Sequence, residues 1–280
     1  MSTEHDLLAS LLNKLKNDEL VLPTLPEVAM RIQEVVSQPD SSPKQVAEII
    51  GQDAAISARM IKVANSALYR RGAKAENVNG AVSRIGLTQI KTIATSAAME
   101  QLFISTNEMV WEIMDEVWAC SVDVTSSACA MLTIYNQTHQ DSGLSLDTLT
   151  LAGLVHNIGS LPVLKEAEAH PEMFNGIEQL RDLVRKMQGP IGRAVLKSWA
   201  FAPEVTEVVE RWSDLSYLPD NVGYLDFIRV AAFYTGELKA GVEIEQRLDF
   251  FAKRGLPASV ENLTSDEFLE IYQSIKSSYE

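Results

Sequence analysis

The 280-residue chain carries 38 acidic against 24 basic side chains, a formal net charge of −14, which argues against general nucleic-acid binding because that depends on neutralising phosphates with Lys and Arg. Its length suits one large domain or two smaller ones, no run approaches the roughly 18 apolar residues of a membrane span, and Cys120 and Cys129 are too few for a disulfide framework. The opening Met1-Ser2-Thr3-Glu4-His5-Asp6 is acidic and polar, unlike a basic export signal, so a reducing cytoplasm is the expected location.

Nearly every segment repeats its apolar residues at helical spacing and none alternates at period two, so the expected fold is all-α. A first helix covers about 3–17, with Leu7, Leu8, Leu11, Leu12 and Leu15 on one face. Leu22-Pro23-Thr24-Leu25-Pro26 is an extended connection, because each proline disfavours helix in the residue before it, and Pro26 suits the first turn of a helix carrying Val28, Ile32, Val35 and Val36. Ser42 and Pro43 read as N-cap and first residue of a short helix to Ile50. Asp53 caps another, with Ile56, Met60, Ile61, Val63 and Ala64 inside.

Charge is uneven along this stretch. Residues 53–91 hold seven basic and two acidic side chains in an otherwise acidic chain. This island, with Arg59, Lys62, Arg70, Arg71 and Lys74, reads as a solvated face, as an intramolecular partner for the acidic remainder, or as a surface for an acidic protein or anionic nucleotide. The two short helices also resemble a helix-turn-helix DNA reader with Arg59 and Lys62 on phosphates. That spacing is common in ordinary bundles, and the whole-chain charge opposes it.

A helix through Val82 and Ile85 ends near Gly86, and Thr88 is the expected cap of the next, toward Leu102. A composition change at Ser105-Thr106-Asn107 divides the chain into a smaller helical half, 1–105, and a larger one, 106–280. Glu108 to about Thr138 forms a long helix with one apolar stripe from Val110 to Tyr135. Trp111 and Trp118, seven apart, share a face and are expected in the core, whereas Cys120 and Cys129 fall on roughly opposite faces. Ser145 or Asp147 starts the helix of Leu151-Ala152-Gly153-Leu154-Val155-His156-Asn157-Ile158-Gly159. Pro162, Pro171 and Pro203 sit at or near helix starts, a helix covers about Ile191–Trp199, Tyr224–Leu238 reads as a buried central helix, and Ser265 caps one more in the tail.

The run Leu22-Pro23-Thr24-Leu25-Pro26, then Val46-Ala47-Glu48-Ile49-Ile50, Asp53, Ala64-Asn65-Ser66-Ala67-Leu68-Tyr69 and Ala81-Val82-Ser83-Arg84-Ile85-Gly86-Leu87 resembles the HDOD family, bacterial relatives of HD-domain phosphohydrolases, from about Leu20 to Tyr234. The resemblance implies a multi-helix HD-like bundle preceded by a smaller N-terminal helical bundle, and it implies signalling.

An HD phosphohydrolase needs imidazoles and carboxylates converging on one or two metals that activate water. Two adjacent residues at a helix end, about 100° apart, can both turn toward one buried ion, but Asn157 offers a neutral carbonyl where an Asp would supply charge. By resemblance, Cys120 stands in place of the first histidine, Gln188 and Arg211-Trp212 stand where later histidines are frequent, and the late aspartate is replaced near Ala231-Ala232. Of the His-Asp pair only His156 survives, and His5, His139 and His170 lack a second ligand nearby. Glu116 and Asp123 flank Cys120 at helical spacing and could in principle substitute as ligands.

The expected function is a non-catalytic signalling module that meets a signalling protein in trans, without a cofactor, and with a small anionic ligand as a further candidate for a pocket of Cys120, His156, Asn157, Gln188, Arg211 and Trp212. The alternative is a metal-dependent phosphohydrolase or phosphodiesterase using a divalent metal and an atypical ligand set.

Overall fold

The computed structural model describes residues 4–17, 19–36, 38, 40–66, 69, 72–174, 176–239 and 244–279, with no strand among them. The first helices are α1 (Glu4–Lys16), α2 (Glu27–Val36), α3 (Pro43–Ile50), α4 (Ala54–Ala64), α5 (Val78–Ile85) and α6 (Leu87–Glu100). Then come α7 (Glu108–Thr138), α8 (Leu146–Val155), α9 (Ser160–Ala169), α10 (Ile177–Ser198) and α11 (Pro203–Arg211). The last are α12 (Tyr224–Tyr234), α13 (Ile244–Lys253), α14 (Val260–Leu263) and α15 (Asp266–Lys276). The protein is all-α.

Local chemistry explains many helix starts. Ser42 Oγ accepts from the Gln45 N–H while Gln45 Oε1 accepts from the Ser42 N–H, a reciprocal capping box ahead of Pro43. Asp53, Asn107, Ser145 and Ser265 cap α4, α7, α8 and α15 in the same way through a side-chain oxygen. Thr88 lies inside α6 rather than at its N-cap position. α6 begins one residue before it, directly after Gly86, whose φ of +95° lets α5 turn straight into α6. Pro26 likewise lies just before α2, where its carbonyl accepts from the Met30 N–H.

α7 is the axis of the bundle, with α8, α12 and α15 packed along it, and α9, α10 and α11 close the remaining side. The N-terminal helices form their own layer, and α6 lies on α8, so one hydrophobic core runs from Leu11 to Tyr279. Contrary to the expectation that no stretch approaches a membrane span, α7 contains an 18-residue window with mean hydropathy 1.4, and 61% of that window is buried inside the bundle. Its Ser, Thr, Cys and Ala residues are small enough for close helix contact. Trp111, at the other end of α7, is 50% exposed rather than core, because the first turns of the helix are covered on one side only.

The helix expected over Ile191–Trp199 is the second part of a longer one. α10 runs from Ile177 to Ser198 through Pro190. Proline ordinarily ends a helix, yet Leu180, Leu183, Val184, Met187, Ile191 and Val195 form one buried stripe that continues past it. At its end the Trp199 indole N–H donates to the Pro23 carbonyl at 2.9 Å, tying the proline-rich connection to α10.

Candidate functional site

The His156-Asn157 pair sits where three helices meet. Gly153 lets α8 lie against α7: a Cβ there would come within 2.4 Å of Thr125 Oγ1. Gly159 does the same against α10, where a Cβ would lie 1.9 Å from the Gln188 carbonyl oxygen. His156, the residue that ends α8, is fully buried, and its ring meets the Trp212 indole edge-on with centroids 4.8 Å apart. Trp212 ends α11, and its loop is pinned by buried Arg229, which donates to the carbonyls of Arg211, Trp212, Asp214 and Tyr217.

The partner of the pair is Glu237, which the sequence reading missed. α12 ends with Gly236 at φ +81° and a Leu238 N–H bond to the Ala232 carbonyl, a glycine-terminated helix end that turns the next residue back toward α8. His156 Nε2 lies 3.1 Å from Glu237 Oε2, and Asn157 Nδ2 donates to Glu237 Oε1 at 2.5 Å. Glu237 lies six residues beyond Ala231 and five beyond Ala232, the place where the late aspartate is expected to be lost. Thr235-Gly236 after an apolar helix was the available signal.

Hydrogen-bond chemistry fixes the protons here. His156 Nδ1 contacts the Gly153 carbonyl, which can only accept, so Nδ1 carries hydrogen and Nε2 is the nitrogen that shares a proton with Glu237. Burial by itself pushes the Glu237 carboxyl up, but the charge of His156 and the hydrogen bonds from His156 and Asn157 outweigh it and hold the group below its ordinary value. Because the carboxylate needs a donor, the Asn157 amide is oriented with Nδ2 toward it, leaving Oδ1 as an unused acceptor.

Beside this triad lies a cavity of about 380 Å³. Cys120, Asn157, Gln188 and Trp212 line it together with Glu237, while His156 stands behind Asn157 and Trp212. Arg211 is not among them: it lies 40% exposed in an adjoining depression, bonded to Asp214 and stacked on Tyr217. Partial burial, then the charges of Glu237, Asp123 and Glu116, push the Cys120 thiol up to about 11. Glu116 belongs to Arg181, which also holds Glu112 and Glu178 and so clamps α10 to α7. Asp123 is bonded to Lys276 and Tyr272 on α15.

Among the described residues no group of three or more His, Cys, Asp or Glu side chains is placed to hold a metal ion. Both nitrogens of His156 are engaged, Asn157 turns its N–H groups toward Glu237, and the acids flanking Cys120 are bound elsewhere. These residues do not fit a catalytic metal centre, which needs several anionic or imidazole ligands on one ion plus an open position.

The basic island divides. Arg59 is 13% exposed and donates to Glu100 and to the Ser278 carbonyl while covering the Tyr279 ring, so it holds down the C-terminal tail. Lys62 and Lys74 are exposed, and Arg70 and Arg71 lie outside the described residues.

An all-α bundle with a His-Asn pair at the junction of its central helices is an HD-like domain. The HDOD domain family model matches residues 22–215, and the chain belongs to that family. It is 77% identical, with TM-score 0.97 and full coverage of both chains, to a Shewanella amazonensis SB2B protein described as a "Putative metal-dependent phosphohydrolase". A Marinobacter aquaeolei VT8 protein described as a "Putative signal transduction protein" is 20% identical, with TM-score 0.61, over 98% of this chain and 64% of its own. An uncharacterized Treponema pallidum protein is 22% identical over 224 residues, 76% of this chain, and the chain spans only 41% of that relative's length.

Proposed function

We propose that this protein is a non-catalytic signal-transduction module of the HD-like type that works by binding a protein partner in trans. The observation that carries the reading is the engagement of both His156 and Asn157 by Glu237, which leaves the position of a metal-dependent site filled by a self-contained hydrogen-bonded triad. The signalling description of the Marinobacter neighbour supports it. The reading places the protein in the cytoplasm, in keeping with two unpaired cysteines. The basic island is the partner surface in this reading, so exchanging Arg70, Arg71 and Lys74 for Glu should abolish partner capture.

The description of the 77% identical relative favours a second reading, a metal-dependent phosphohydrolase. Elemental mass spectrometry of untagged protein, loaded separately with manganese, iron, zinc or magnesium, decides between them. Substoichiometric metal, with phosphoester hydrolysis no higher than in His156→Ala, supports the signalling module. One or two tightly held ions, lost together with activity in His156→Ala, establish the hydrolase.

A further inference from the structure

The chain beyond α15 is tied to the N-terminal helices through one side chain. Ser278 and Tyr279 are only 5% and 8% exposed. Arg59, on α4, donates to the Ser278 carbonyl and stands over the Tyr279 ring, its guanidinium carbon 5.3 Å from the ring centroid. The other hydrogen bonds described for residues 277–279 run back to Gln273, Ser274, Ile275 and Lys276, inside the same tail. Burial, then Cys129 and Asp147 against the opposing charge of Arg59, push the Tyr279 hydroxyl up, so the ring sits uncharged near Arg59 of α4, Cys129 of α7 and Asp147 of α8.

Lifting this end strands no charge, and an uncompensated buried charge is what makes breaking such a contact costly. Arg59 keeps its ion pair with Glu100, 2.6 Å away and 43% exposed, and both line a cavity of about 400 Å³. α15 stays on α7 through Lys276 and Tyr272, which both bond to Asp123, and Tyr69 keeps its bond to Asp147 at 3.1 Å. Opening gives up the burial of one ring and one charged hydrogen bond, and segments held by so little open locally without global unfolding. Closed, the tail fills a seat that takes an aromatic ring and a backbone carbonyl. Lys62, exposed and three residues on from Arg59, extends that seat along the same face of α4 with positive charge.

We propose that residues 277–279 are a latch, occupying in cis a docking seat for a segment of a protein partner in which a tyrosine stands beside acidic residues. The proposal rests on the protein-binding reading and names the chemistry of the segment that is bound. The tail itself has that form, since Glu280 follows Tyr279. A short tether gives an effective concentration of about 1 mM, so a tail closed about nine-tenths of the time implies that the same segment binds in trans with a Kd of roughly 0.1 mM.

The test uses the full chain and a fluorescently labelled synthetic peptide of residues 274–280. In hydrogen exchange of the wild-type chain, the Ser278 and Tyr279 amides should exchange well ahead of those in α15 and α7. Peptide binding, read by anisotropy, should saturate on Tyr279→Ala with a Kd of roughly 0.1 mM or below. The wild-type chain, whose own tail competes, should bind it about tenfold more weakly. Adding Arg59→Gln to Tyr279→Ala should weaken binding about tenfold, the worth of one hydrogen bond to a charged group, and a peptide with alanine in place of its tyrosine should not bind. Tail amides that exchange only with global unfolding overturn the inference, and this measurement on the wild-type chain stays decisive if Tyr279→Ala fails to fold. No peptide binding to folded Tyr279→Ala at about 1 mM, or equal binding of the two peptides, overturns it as well. Metal analysis of the same sample separates the two failures: metal-free protein that does not bind the peptide refutes this inference alone, whereas stoichiometric metal with phosphoester hydrolysis refutes the non-catalytic reading.

Discussion

Replacing Glu237 by Gln keeps the shape of the side chain that joins the end of α12 to the His156-Asn157 pair and removes its charge. Glutamine Oε1 can accept from Asn157 Nδ2, and its amide N–H can donate to His156 Nε2 once the imidazole carries hydrogen on Nδ1 alone, where the Gly153 carbonyl requires it. Both contacts survive as neutral hydrogen bonds. Charged hydrogen bonds contribute about 1.5–3 kcal/mol and neutral ones about 0.5–1.5, so the substitution should cost about 2 kcal/mol. Glu237→Ala leaves both donors unmet in buried surroundings and should cost about 3–5 kcal/mol, as for a broken buried pair. Urea unfolding at pH 7 measures both. The folded-state carboxyl titrates below its unfolded counterpart, so the advantage of Glu237 over Gln is complete above about pH 4.3, the ordinary Glu value, and is lost as pH falls through the folded value. Equal losses in Gln and Ala variants, or an advantage that grows as the solution is acidified, would refute the proton assignment.

Gly159→Ala drives a methyl group into the backbone of α10 at Gln188 and Gly192, and should destabilise by about 3 kcal/mol or more, read as a lowered urea midpoint; a neutral effect would mean the helices can separate there. Arg229→Met leaves four carbonyls of the 211–217 loop without their donor, so a loss of about 3 kcal/mol should come with faster amide hydrogen exchange around Trp212, and unchanged exchange would show that the loop is held by other contacts. Burial pushes the Cys129 thiol up to about 12, so a thiol-specific disulfide reagent should label only Cys120 in native protein, slowly at neutral pH and faster as pH approaches 11, with Cys129 reacting after unfolding. Prompt reaction of both thiols would place Cys129 at the surface.

The sequence by itself determined the all-α class, many of the helix starts and the family. Those signals are local: Ser42-Pro43, Asp53, Ser145 and Ser265 cap by reaching three residues ahead, and the apolar stripe of α7 is read along one helix. Where a local rule misled, a neighbouring element had overridden it. Pro190 is carried through α10 by a stripe buried on both sides of it, and Trp111 stands exposed because the first turns of α7 are covered only on the side of Val110, Ile113 and Met114. Only the tertiary structure decided what the His156-Asn157 pair does, because its partner Glu237 lies 80 residues away and is delivered by a glycine-ended turn rather than by any spacing near the pair. The same long-range closure parted Arg211 from Trp212, adjacent residues that face different cavities, and turned Arg59 from a surface cation into the anchor of a tail more than 200 residues distant. Periodicity specifies which face of a helix is buried, but which side chains then meet depends on how the bundle closes.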